Sequence, residues 1–280
     1  PAPTLPAAER FEAAAKALQS GEKVILVLSG RALRAAPLAL ASQIVQRTGA
    51  TMLAQYSNGR MERGAGRAAI ARTPAPVDQG VAAFKDAKHV ILIGAKVPAP
   101  LFGYPGKPDY LMQQVQRLHP PGEFSQGLVK ALDLLPLLEP QKKLELPQGA
   151  LSADAVLRTI SALMPENAII VDESISAGRS FFPASMGAPA HDYLQLTGGS
   201  IGNGLPMATG AAIACPERTV INMEGDGSSM YTIQALWTQA REKLNVVTVI
   251  FANRGYQILK GELVGVGAAN WGERAERMLS

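Results

Sequence analysis

Cysteine is nearly absent from this chain. Cys215 stands alone, so no intrachain disulfide can form, and a reducing, cytoplasmic setting fits. Its apolar neighbours point to a small buried residue, not a nucleophile. Histidine is scarce too, and His89, His119 and His191 lack the spacing of metal ligands. His89 precedes a strand and His119 precedes two prolines, so both are expected at the surface or in turns. His191 is the one histidine expected near the ligand edge of the second half, where catalytic work is considered for it. No Gly-x-Ser-x-Gly elbow and no Cys–His pairing point to a nucleophilic side chain. No run of about 18 apolar residues exists to cross a membrane, and Pro-Ala-Pro-Thr-Leu-Pro at the start is no signal peptide. The formal charge of +4 is mild and spread out, without the basic block a nucleic-acid partner needs. No internal repeat is found.

What is present is alternation. The 280 residues suffice for about two ordinary domains. Glu9 to Leu18 is alanine-rich and helical. Val24 to Leu28 is a buried-type strand with a Ser29-Gly30 turn behind it. A helix is predicted over Pro37 to Arg47, ending at Gly49, and a short strand over Thr51 to Gln55. Asn58 to Arg67, with Arg60, Arg63 and Arg67, reads as a solvated loop, a phosphate or flavin contact being the alternative. Asp78 to Ala87 is amphipathic, Val90 to Ile93 another buried strand, Gln114 to Leu118 a strand and Glu123 to Leu135 a helix. Residues 1–140 therefore read as a parallel α/β domain, 141–150 as a linker and 151–280 as a second α/β domain. The Pro/Ala opening and the abrupt end of the Glu273 to Ser280 pattern suggest an internal piece of a longer protein.

The second domain carries the chemistry. A helix with Ser152 as N-cap leads to the strand Ala168 to Val171, which ends at Asp172-Glu173-Ser174. Tyr193 to Leu196 leads into Gly198-Gly199-Ser200-Ile201-Gly202-Asn203-Gly204, and a helix follows from Met207 to Ala214. Thr219 to Met223 then stops at Gly225-Asp226-Gly227. Ile233, Leu236, Trp237 and Ala240 recur at helical spacing, and Val246 to Ala252 is nearly all apolar, as a strand buried on both faces should be. Asn253 and Gly255 follow it. In a parallel sheet these turns all lie at carboxyl ends of strands, where α/β proteins bind ligands. Asp226 offers a carboxylate, Asn253 an amide oxygen and the turn at Gly255 a backbone carbonyl. Three protein oxygens leave octahedral positions for phosphate oxygens and water, the usual way Mg²⁺ is held. Gly225 and Gly227 permit close backbone approach to a phosphate, and a helix N-terminus behind them would favour an anion.

Gly225-Asp226-Gly227, twenty-five residues and then Asn253 resembles the thiamin diphosphate motif of the superfamily that holds acetolactate synthase, benzoylformate decarboxylase and pyruvate decarboxylase. The resemblance spans essentially the whole chain, as that family's middle domain and most of its diphosphate-binding domain, two Rossmann-like parallel sheets. It implies thiamin diphosphate and Mg²⁺ as cofactors, a 2-oxo acid as substrate, and decarboxylation or carboligation as the reaction. Asp226, Asn253 and Gly255 would be the metal ligands. Gly199 would give its carbonyl to the aminopyrimidine, with Ser200 beside it, and Ile201 would be the wedge that bends the cofactor. Gly225, Gly227 and Ser228 would meet the diphosphate, and Tyr256, with Ile258 and Leu259, the substrate side. Ser174 and Ser176 would either donate to the diphosphate or cap the next helix; Asn203 would either bond at the site or stabilise its turn.

The family's activating glutamate belongs to a pyrimidine-binding domain that this sequence lacks, so no catalytic residue is assigned and the piece alone is expected to be inactive. Dimers or tetramers are expected. Leu259 stands where pyruvate decarboxylases carry a glutamate, and Pro105 where benzoylformate decarboxylase carries a histidine. Acetolactate synthases can hold FAD in the middle domain, so the resemblance leaves FAD open as a further cofactor without indicating it. The other readings left open are a benzoylformate decarboxylase-type enzyme, a non-catalytic thiamin diphosphate-binding or assembly protein, and a generic nucleotide- or flavin-binding protein.

Overall fold

The computed structural model describes residues 8–112, 116–118, 138–268 and 270–280. The predicted helix over Glu123 to Leu135 and His119 lie outside them. The chain divides into two compact units, Pro1–Pro140 and Gln141–Ser280.

In the first unit the strands are β1 (Val24–Leu28), β2 (Thr51–Ala54), β3 (Arg60–Arg63), β4 (Ala71–Arg72), β5 (His89–Ile93) and β6 (Gln116–Leu118). Five of them form a parallel sheet in the order β4-β2-β1-β5-β6. Every residue of β1 is buried, so its continuous Val-Ile-Leu-Val-Leu run is what two covered faces require. One face packs Ile25, Val27, Val90 and Leu92 against Val77, Phe84, Leu111 and Met112. The helix Ala35–Thr48 stops at Gly49, whose φ of 70° lets its N–H turn back to the Val45 carbonyl, a left-handed cap that suits glycine.

Three expectations fail here. Asn58 to Arg67 is not a solvated loop: it contains β3, Arg63 is buried, and the buried Arg67 Nε has no hydrogen-bond partner among the described residues. His89, expected at the surface or in a turn, instead opens β5 with a half-buried side chain, where its Nε2 meets Glu22 at 2.8 Å. Cys215, in the second unit, is half-buried.

In the second unit β7 (Ile169–Glu173), β8 (His191–Gln195), β9 (Val220–Gly225) and β10 (Val246–Phe251) are parallel and lie in the order β10-β9-β7-β8. From β7 the chain steps to β8 on one side, then crosses to β9 on the other and on to β10. The order thus reverses between β7 and β9, the place where open parallel sheets hold ligands beyond their carboxyl ends. The helix Gly204–Ala214 packs Ala208 and Ala212 on Ile169, Val171 and Val220. The helix Ala153–Leu163 starts where the Ser152 hydroxyl accepts the Ala155 N–H at 3.1 Å. Lys142 N donates to the Gly187 carbonyl at 3.0 Å, so the segment expected as linker is tied to this unit.

Candidate active site

β7 and β9 end side by side, with Glu173 in register with Glu224. Past β9, the predicted Gly-Asp-Gly turn forms a single helical turn, Asp226–Ser229, and the next helix, Ala235–Arg241, begins only after it. The helix N-terminus expected behind the glycines is that of this four-residue turn, too short for a sizeable macrodipole, so an anion here would be met mainly by backbone N–H groups.

The Asp226 carboxylate reaches across to the β10 end. Its Oδ2 accepts the Arg254 N–H at 2.9 Å and its Oδ1 the Gly227 N–H at 3.0 Å. Asn253 Oδ1 accepts the Gly255 N–H at 3.0 Å. Arg254 has φ 55°, a conformation uncommon outside glycine, which concentrates at functional turns. Asp226, Asn253 and Gly255 are thus brought onto one pair of adjacent loops. A carboxylate has about four lone-pair positions, and the two N–H bonds leave others for a cation. Among the described residues no group of three His, Cys, Asp or Glu side chains could hold a metal. A cation at Asp226 must therefore complete its shell with amide and backbone oxygens, phosphate and water, a donor set that fits Mg²⁺.

The Gly198–Gly204 loop lies beyond β8. Gly198, Gly199 and Gly202 all have positive φ, and the first two have open space where a Cβ would stand. The Gly199 carbonyl accepts the Ile201 N–H at 2.9 Å and keeps a second lone pair. Ile201 is 45% exposed, an apolar side chain left uncovered at the loop. Gly202 must be glycine twice over: its φ is 85° and a Cβ would lie 2.6 Å from that of Tyr231. Its carbonyl accepts the Thr232 hydroxyl at 2.7 Å. Asn203 stabilises its turn through Met207 Sδ at 3.9 Å. The Tyr256 ring faces Gly227, at 3.6 Å from a Cβ built there. Ser228 is buried behind the motif, and Ser200 is exposed in the loop.

Two expectations change. The Ser174 hydroxyl neither caps a helix nor faces the crevice. It donates to Asp172 Oδ1 at 2.5 Å, while Tyr193 donates to Asp172 Oδ2 at 2.6 Å. Ser176 heads the 3₁₀ turn Ala177–Ser180 without a side-chain cap bond. His191 opens β8, at the amino edge of the sheet, with Nδ1 at 2.7 Å from the Pro189 carbonyl. It is far along the strand from the carboxyl-end loops and takes no part in them.

Sequence reasoning missed Glu173 and Glu224. Glu173 is buried, with Oε1 accepting the Gly202 N–H at 2.5 Å and Oε2 accepting the Gly204 N–H. Burial pushes its pKa up, and the N–H groups of Gly204, Gly202 and Asn203 pull it back. Glu224 is fully buried. Burial first, and the Glu173 carboxylate second, push it up to about 8, the expected outcome for two like groups sharing a dry site. The signal was present: Asn222 and Glu224 interrupt the otherwise apolar β9, and a polar residue in a buried strand needs a reason.

Comparison with known proteins agrees with this geometry. Residues 180–276 match the family described as thiamine pyrophosphate enzyme, C-terminal TPP binding domain. A Mycobacterium tuberculosis chain named as an acetolactate synthase large subunit, IlvX, is 42% identical over 262 residues, 90% of this chain and 51% of that one. The chain belongs to the thiamin diphosphate-dependent enzyme superfamily. A Pseudomonas aeruginosa benzoylformate decarboxylase is 34% identical over 210 residues, 65% of this chain and 39% of the other. Among solved structures, a Rhodococcus jostii 4-hydroxybenzoylformate decarboxylase shares the fold, with TM-score 0.73 and 24% identity over 96% of this chain and 55% of that one. The chain spans about half the length, or less, of these thiamin diphosphate enzymes.

Proposed function

We propose that the protein works as the diphosphate-binding and middle portion of a thiamin diphosphate- and Mg²⁺-dependent enzyme that cleaves a 2-oxo acid, in the manner of acetolactate synthase and the related decarboxylases. The observation that carries this is the meeting of three loops at the β7/β9 switch point: those of Asp226 and of Asn253 and Gly255 on one side and the glycine-rich Gly198–Gly204 loop on the other.

Asp226 Oδ, Asn253 Oδ1 and the Gly255 carbonyl would hold Mg²⁺, which anchors the diphosphate. Backbone N–H groups at Gly225 and Ser228 would meet its oxygens, the Gly227 N–H being held by Asp226 Oδ1, and the glycines let the chain approach closely. The Gly199 carbonyl would accept a hydrogen bond from the aminopyrimidine, and the exposed Ile201 would pack against the cofactor. When bound, thiamin diphosphate supplies the electron sink for breaking the bond between keto carbon and carboxylate. Tyr256 and Leu259, each more than 40% exposed, form an apolar border that excludes water from the keto acid. The reading also includes self-association in a cytoplasmic setting. Its support is the apolar surface of the second unit: Met230, Tyr231, Trp237, Val247, Val264 and Met278 are all more than half exposed, more than solvent alone explains. Among the described residues no helix is long and apolar enough to cross a membrane.

The test is thermal unfolding of this polypeptide with thiamin diphosphate, with Mg²⁺, with both and with neither, beside Asp226→Ala. A ligand at a hundredfold excess over its Kd adds about 2.7 kcal/mol to the folded state. A rise in Tm that needs both ligands and vanishes in the variant is expected. An equal rise in Asp226→Ala overturns the metal assignment.

A further inference from the structure

The Gly198–Gly204 loop has little to fix its shape from within. Gly198, Gly199 and Gly202 all sit at positive φ, and glycine carries no side chain to restrict the backbone. Its turn contacts include Ser200 N to the Thr197 carbonyl at 3.3 Å and Ile201 N to the Gly199 carbonyl at 2.9 Å. Yet it precedes an eleven-residue helix, Gly204–Ala214, whose first N–H groups need acceptors. Asn203, at the N-cap position, makes no side-chain cap bond.

The missing acceptor comes from another strand. The Glu173 carboxylate, 29 and 31 residues away in sequence, takes the N–H of Gly202 with one oxygen and of Gly204 with the other. The fit is close. A Cβ at Gly204 would lie 2.9 Å from Glu173 Oε2 and 1.9 Å from Glu224 Oε1, so the loop backbone rests directly on the carboxyl groups.

We propose that Glu173 is a positioning residue: its carboxylate clamps the Gly198–Gly204 loop and so sets the seat of the aminopyrimidine ring, independently of the metal and diphosphate end of the site. The identity of the ring rests on the function proposed above; the clamp itself does not. Two backbone donors converge on one side chain, and only a carboxylate presents two acceptor oxygens to them. Glu173→Gln keeps the shape but turns an NH₂ group toward one of the N–H groups.

Hydrogen exchange on the unaltered chain comes first. The Gly202 and Gly204 amides are expected to be protected, and fast exchange at both overturns the clamp without any variant. In Glu173→Gln their protection is expected to fall at least tenfold. Affinity for Mg²⁺-thiamin diphosphate is expected to fall at least tenfold too, while affinity for Mg²⁺-pyrophosphate stays unchanged, because Asp226, Asn253 and Gly255 are untouched. An equal loss for both ligands means a merely structural residue and overturns the proposal. If the unaltered chain binds pyrophosphate but thiamin diphosphate no more tightly, the seat is refuted while the metal site stands. Binding of neither ligand refutes the proposed function and leaves the clamp to be judged by exchange alone.

Discussion

Glu224→Gln should change how stability depends on pH. In the folded chain Glu224 sits fully buried beside Glu173, and its pKa rises from 4.5 to about 8. In the unfolded chain it returns to the ordinary value. Between the two, the folded state holds a proton that the unfolded state releases, so raising the pH favours unfolding. The contribution is complete below pH 4.5 and is lost as pH climbs through about 8. One proton's difference is worth about 1.4 kcal/mol per pH unit, so the step from pH 5.5 to 7.5 costs about 2.7 kcal/mol. Glutamine keeps the shape and the contact with Asn222, which donates to Oε1 at 3.3 Å, but it does not titrate. Urea unfolding of both chains at pH 5.5, 6.5 and 7.5, without Mg²⁺, reads the difference. The unaltered chain should lose stability faster than the variant by about 1.4 kcal/mol per pH unit. Parallel lines would refute the argument that these two carboxyl groups share a dry site.

Two other substitutions probe the frame. Arg218 pairs with Asp192 at 2.8 Å and donates to the carbonyls of Asn167 and Ala168; Arg218→Ala should lower urea stability by about 3 kcal/mol, and a loss within experimental error would show that the pair contributes nothing. Gly94 has φ 63°, and a Cβ there would stand 2.8 Å from the Ser29 carbonyl, so Gly94→Ala should cost more than about 1 kcal/mol in thermal unfolding. An unchanged Tm would mean that the β1 and β5 ends are not packed this closely.

The sheets were largely legible because their strands are continuous apolar runs. Val24 to Leu28 was read at its observed bounds, and β5, β9 and β10 within two residues at either end. β3 was not legible: Arg-Met-Glu-Arg looks polar, and only Met61 and Arg63 are buried. At the site, Asp226, Asn253 and Gly255 could be picked out by residue type and spacing, and the structure brings them onto adjacent loops. Ser174 was misjudged, since nothing local says that Asp172 and Tyr193 would engage its neighbourhood. Glu173 was overlooked because its partners, Gly202 and Gly204, are backbone groups on another strand's loop, and side-chain identity does not report such contacts.

Asp226 ties its loop to the β10 loop through the Arg254 N–H, and Asn253 holds its own turn through the Gly255 N–H, before any ligand arrives. Ordering a residue's backbone costs about 1–2 kcal/mol in entropy. In these loops that cost falls on folding rather than on association, so a ligand binding here would meet a preorganised site. The other side of that arrangement is kinetic. A seat that need not assemble can be filled as fast as diffusion and charge allow, and release has to wait on breaking contacts to the ligand alone.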